Sequence, residues 1–123
     1  MSSNVTLRAL AALAAAAAAP AMAQDAGAGE AIFKQRCQSC HAAPAGQPHG
    51  VGPNLAGVVG RKAASTAFAY SSALKGSGLT WDKPTLDRFL SGPSKMVPGT
   101  RMLISVPDPK ERAGLIAYLG GLK

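Results

Sequence analysis

The pattern of apolar and polar positions predicts a helix in three parts of this 123-residue chain. The first runs from Asp25, whose side chain is suited to cap a helix N-terminus, to about Cys37. The second lies in "WDKPTLDRFLSGP", where Asp82 caps the start and Gly92-Pro93 ends the helix. Both stretches place apolar residues at helical spacing on one side, as expected of helices that pack on a core.

The last helix has the clearest start, because Asp108, Pro109 and Glu111 supply an N-cap, a first-turn proline and a capping-box acid. A shorter helix is predicted in "SSALKG". Residues 42–69 contain three prolines and five glycines, which predict loops. No run alternates well enough to predict a strand, so the predicted fold class is all-α, with three main helices, a short one and long loops. The residues expected to face inward are Ile32, Phe33, Leu86, Phe89, Leu90, Leu115, Ile116, Leu119 and Leu122.

The first 23 residues, "MSSNVTLRALAALAAAAAAPAMA", have the composition of a secretory signal peptide. Ala21-Met22-Ala23 has the small-x-small pattern of a cleavage site, which predicts a signal peptide over residues 1–23 and one exported domain over residues 24–123. The alternative is an uncleaved membrane anchor. The apolar run from Ala9 to Ala23 has 15 residues and includes Pro20, whereas a spanning helix needs about 20.

The exported part has few residues with which to build a core. All 14 glycines and eight of the nine prolines lie in residues 24–123, together with only six aromatic residues. A composition this rich in glycine and proline approaches that of disordered chains. We therefore expect a large apolar group that is not an amino acid to complete the interior.

The charge of the exported part is strongly positive, with twelve basic and six acidic residues and a net charge of +6. No basic run is interleaved with aromatic residues, which argues against nucleic-acid binding. A basic surface of this kind attracts acidic partner proteins.

The pentapeptide "CQSCH", Cys37 to His41, holds both cysteines of the chain and one of its two histidines. A disulfide between Cys37 and Cys40 would close too small a loop to stabilise the fold well. A thiol oxidoreductase needs a βαβ unit beside the motif, and a zinc site would need His49 as an improvised fourth ligand. The C-x-x-C-H spacing favours c-type haem attachment, in which Cys37 and Cys40 form thioethers and His41 binds the iron.

Several segments in the same order extend this interpretation over residues 24–123. They are "GEAIFKQRCQSCH", "HGVGPNLAGVVGRKA", "FAYSSALKGSGLTW", "FLSGPSKMVPGTRM" and "ERAGLIAYL". In these segments the chain resembles the class I c-type cytochromes, a group that includes mitochondrial cytochrome c and its bacterial periplasmic relatives. The resemblance implies a single-haem all-α fold with loops wrapped around one covalently bound haem c.

The resemblance also implies a methionine as the second axial ligand. Met96 and Met102 are both candidates, and "PGTRM" matches the ligand loop of the family, which favours Met102. A thioether ligand favours ferrous iron and raises the reduction potential. His49 matches a family histidine that forms a hydrogen bond between loops, and this role is favoured over iron ligation.

Further roles follow from the same resemblance. Pro53 would accept a hydrogen bond from the proximal imidazole through its carbonyl. Tyr70 and Trp81 would donate to a haem propionate, with Arg61 close enough to offset its charge. One departure is Phe89, where the family often has a tyrosine near the ligand methionine. A second group of residues matches the crossing of the first and last helices: Gly29, Phe33, Leu115 and Tyr118.

The predicted function is single-electron transfer between redox proteins by a monomeric periplasmic carrier, and the chain is not expected to be an enzyme. A related alternative is a cytochrome subunit or haem domain that serves one dehydrogenase. A catalytic or gas-binding haem protein would need Met102 to be a weak or absent ligand. Acidic docking faces are expected on the partners, facing basic residues around the exposed haem edge: Lys34, Lys75, Lys95 and Arg101.

Overall fold

The computed structural model describes residues 21–123, so most of the predicted signal peptide lies outside the described residues. The predicted all-α class is confirmed, and residues 21–123 contain no strand apart from one isolated antiparallel bridge between Lys62 and Thr80. No helix within this range has the length and hydrophobicity needed to span a bilayer. The helices are α1 (Ala21–Arg36), α2 (Ser72–Lys75), α3 (Lys83–Ser91), α4 (Pro93–Met96) and α5 (Pro109–Gly120).

Two of the predicted helix starts are confirmed by their caps. The Asp82 carboxylate accepts from the Thr85 N–H at 2.9 Å, and the Asp108 carboxylate accepts from the Lys110 N–H at 2.8 Å. Hydrogen bonds from the side chain and backbone N–H of Thr85 lower the pKa of Asp82. The side chain that precedes each helix thus satisfies N–H groups that have no partner inside the helix.

The structure corrects three details of the prediction. Helix α1 begins at Ala21, so the predicted start at Asp25 is wrong. There are two short helices rather than one, because Gly92 ends α3 and Pro93 then occupies the first turn of α4, a position that a proline fits well. Glu111, predicted as a capping-box acid, instead forms an exposed ion pair with Arg36 of α1 at 3.4 Å.

Helices α1 and α5 cross at very short range, as the resemblance predicted. Gly29 lies against the backbone of Gly114, where an added Cβ would come within 1.9 Å of the Gly114 carbonyl oxygen. The Phe33 and Tyr118 rings pack with centroids 5.3 Å apart, and Leu115 is only 1% exposed. This crossing holds the end of α1, and therefore the cysteine motif that follows it, against the core.

Candidate functional site

A cavity of about 450 Å³ lies between the α1–α5 pair and the loops, and its walls are mainly apolar. The four residues predicted to attach haem or bind its iron all line this one cavity: Cys37, Cys40, His41 and Met102. Its apolar walls include Leu55, Val58, Phe68, Leu74, Leu86, Phe89, Leu90 and Leu119. A chain short of aromatic residues thus surrounds a space suited to a large apolar group.

The cysteine motif follows α1 in tight turns. The Cys37 N–H donates to the Phe33 carbonyl at 2.8 Å, and the His41 N–H donates to the Cys37 carbonyl at 2.9 Å. These bonds bring both half-buried thiols and the imidazole to the cavity wall. Burial raises the pKa of Cys37, and the nearby Arg36 charge opposes this effect, so the thiol is favoured over the thiolate.

The imidazole of His41 is fixed by the loop that follows it. Its Nδ1 lies 2.7 Å from the Pro53 carbonyl oxygen, the hydrogen bond that the resemblance implied. Since a carbonyl only accepts, Nδ1 has the proton and Nε2 has the free lone pair, which is the form that binds a metal. Burial lowers the pKa of His41, partly offset by the Pro53 hydrogen bond, and this favours the neutral ring.

Gly52 gives the ring its space, a role that the sequence analysis missed. An added Cβ at position 52 would lie 2.4 Å from the His41 Cε1 atom. The one signal in the sequence is that Gly52 directly precedes Pro53. A close approach between backbone and a functional ring is a common reason for glycine at such a position.

His49 lies in the loop network that supports this site. Its Nδ1 accepts from the Asn54 N–H at 2.8 Å, a hydrogen bond within one loop, so the bond between loops predicted for His49 stays a prediction. The buried Asn54 side chain, which the sequence analysis missed, donates to the carbonyls of Pro44 at 2.8 Å and Gln47 at 3.0 Å. Asn54 therefore organises the loop between the cysteine motif and Pro53.

The predicted propionate residues also line the cavity. Tyr70 and Trp81 are both buried. The Tyr70 hydroxyl forms a hydrogen bond with the Thr66 hydroxyl. The Trp81 ring packs on the Phe89 ring, with the ring centroids 4.9 Å apart. Arg61 is half-buried and donates to the Ala56 carbonyl at 3.0 Å, which holds its charge at the cavity wall.

The two candidate methionines differ in position. Met102 is half-buried and lines the cavity, whereas Met96 ends α4 and packs against the hydrophobic core outside the cavity lining. The turn before Met102 uses Gly99 at φ +92°, and the Thr100 N–H donates to the Val97 carbonyl at 3.0 Å. This geometry favours Met102 as the residue available to a group in the cavity.

The donor set fits a c-type haem: two thiols, one neutral imidazole and one thioether around an apolar space. Within residues 26–123, no group of three or more His, Cys, Asp or Glu side chains is arranged to bind a metal ion. Cys37 and Cys40 are free thiols rather than a disulfide.

Comparisons with known proteins agree with this site. The family model for cytochrome c matches residues 26–123. A cytochrome c of Tetrahymena pyriformis is 50% identical over 96 residues, 77% of this chain and 86% of that protein. A cytochrome c2 of Rhodomicrobium vannielii is 50% identical over 94 residues, 74% of each chain. The solved structure of cytochrome cH from Methylobacterium extorquens superposes with a TM-score of 0.73 and 47% identity, covering 78% of this chain and 97% of that one.

Proposed function

The chain belongs to the cytochrome c family and is therefore a small electron carrier with a covalently attached c-type haem; we propose that it works in the periplasm with His41 and Met102 as axial ligands. The observation that supports this most strongly is that Cys37, Cys40, His41 and Met102 line one cavity. Cys37 and Cys40 would form the thioethers. The haem supplies one-electron chemistry between ferric and ferrous iron.

The chain's own residues set the conditions for that chemistry. Pro53 keeps the proton of His41 on Nδ1 and makes the imidazole a better ligand. The Met102 thioether, as an iron ligand, would favour ferrous iron and so raise the reduction potential. Tyr70 and Trp81 would donate to a buried propionate, and Arg61 would offset its negative charge.

Carriers of this family transfer electrons and are not enzymes. His41 and Met102 would both hold the haem iron, which would then have no open position for substrate chemistry. Only the cavity mouth then needs to meet a partner. Three exposed apolar side chains lie there, Val51, Leu103 and Ile104, which supports electron exchange through a small contact at this mouth.

The partners are redox proteins, and acidic docking faces on them would match the net charge of +6 on residues 24–123. The signal peptide would direct export and would then be cleaved after Ala23, which would leave a monomeric carrier of 100 residues. A small transient interface suits a protein that must dock, exchange one electron and dissociate.

An intact-mass measurement on the exported protein tests this proposal. The expected mass is that of residues 24–123 plus one haem, and the haem should remain attached when the protein is denatured. Replacing both Cys37 and Cys40 with alanine should give a chain that loses haem on denaturation. A native protein with the mass of the bare polypeptide would refute the proposal.

A further inference from the structure

The segment that contains Met102 is held mainly at its two ends. Leu103, Ile104 and Ser105 are exposed, and their backbone N–H groups have no hydrogen-bond partner within residues 26–123. Past this stretch, the buried Val106 donates its N–H to the Leu90 carbonyl at 2.7 Å. The position of Met102 therefore depends strongly on what holds the chain just before it.

Arg101, the residue before Met102, joins this part of the chain to a distant segment. Its Nη1 donates to the Ala69 carbonyl at 2.9 Å, and its Nη2 donates to the Tyr70 carbonyl at 3.4 Å. Both acceptors lie more than 30 positions earlier in the chain, on a segment that also lines the cavity through Tyr70. The planar guanidinium can donate to two neighbouring carbonyls at once. A lysine ammonium is a point charge on a flexible stem and would hold the same carbonyls in a less defined geometry.

We propose that Arg101 is a positioning residue for Met102: its fork to Ala69 and Tyr70 ties the methionine segment to the 69–70 backbone and keeps the thioether at the cavity. The inference rests on the proposed function, because it takes Met102 as the iron ligand. It assigns Arg101 a role in ligand retention, in addition to its contribution to the basic surface.

The consequence is measurable through competition at the iron. An external ligand such as imidazole binds ferric iron only when Met102 has moved away, so its apparent affinity scales with the fraction of open protein. Loss of the two Arg101 hydrogen bonds should raise that fraction, and hence the apparent imidazole affinity, about 3- to 10-fold.

The experiment is an imidazole titration of the ferric holoprotein, followed by the loss of the methionine-to-iron absorption band. Arg101→Ala is the main variant. Arg101→Lys keeps the charge without the planar fork and should raise the affinity about 2- to 3-fold, which keeps the test available if the alanine variant does not fold. Arg88→Ala is the matched control, since it removes one exposed arginine whose guanidinium has no hydrogen bond within residues 26–123.

The outcomes separate this inference from the proposed function. A rise for Arg101→Ala and Arg101→Lys, with Arg88→Ala unchanged, supports the positioning role. Equal affinity in the Arg101 variants and wild type, or an equal rise in Arg88→Ala, overturns it while Met102 ligation stands. A wild-type ferric protein without the methionine band would overturn Met102 ligation and the positioning role together.

Discussion

The imidazole of His41 lies directly against Gly52, so that a Cβ at position 52 would come within 2.4 Å of its Cε1 atom. The same ring is bonded to Pro53, the next residue along the chain, at 2.7 Å. Two consecutive residues therefore determine both the space and the orientation of the proposed proximal ligand.

Gly52→Ala should destabilise the holoprotein by about 1–3 kcal/mol, because the methyl group must displace the imidazole or the loop. Denaturant unfolding of the haem-bound protein measures the change. Gly120→Ala is the control, since a Cβ at that position meets no atom within 4 Å. The stability of this variant should be nearly that of the wild type. Wild-type stability in Gly52→Ala would show that the loop yields without cost.

Met102→Ala should abolish the methionine-to-ferric-iron absorption band and lower the reduction potential, because the proposed thioether ligand, which would favour ferrous iron, is lost. Met96→Ala is the matched control and should retain both properties, since Met96 packs outside the cavity lining. Absorption spectroscopy and a redox titration give the two readouts. The reverse pattern would assign the ligand role to Met96.

Gly29→Ala should destabilise the protein by about 3 kcal/mol, the upper end of the cost of overpacking, because α1 would be pushed off the Gly114 backbone. Gly27→Ala is the control, because Gly27 lies in the same helix and an added Cβ there meets no atom within 4 Å. This variant should be as stable as the wild type or slightly more stable. Thermal unfolding of both holoproteins measures the contrast, and similar melting temperatures would contradict a tight crossing.

The rate of electron transfer to an acidic redox partner should fall as ionic strength rises, because 0.1 M salt largely screens the attraction between exposed charges more than about 10 Å apart. Lys95→Glu should slow the reaction more than Lys123→Glu, which makes the same charge change at the C-terminus. Stopped-flow oxidation of the ferrous protein across a salt series measures both effects. A rate indifferent to salt would mean that docking depends on apolar contact at Val51, Leu103 and Ile104.

Prediction from sequence worked best where the signal lies among neighbouring residues. The pentapeptide Cys37–His41, the capped starts at Asp82 and Asp108, and the absence of alternating runs each depend on a few adjacent positions. The same local reasoning was wrong at Asp25, because helix α1 continues back to Ala21. A residue suited to an N-cap does not mark the start of a helix when the residues before it also favour helix.

The sequence by itself determined the helical class, the haem-attachment motif and the family, because each depends on local spacing or on segments in a recognisable order. Only the tertiary structure placed Gly114 against Gly29, Gly52 against His41 and the Arg101 guanidinium on the carbonyls of Ala69 and Tyr70. These contacts join residues that are far apart in the chain or that meet through backbone atoms. Every residue type has the same backbone carbonyl, so the sequence does not mark which one a distant side chain will reach.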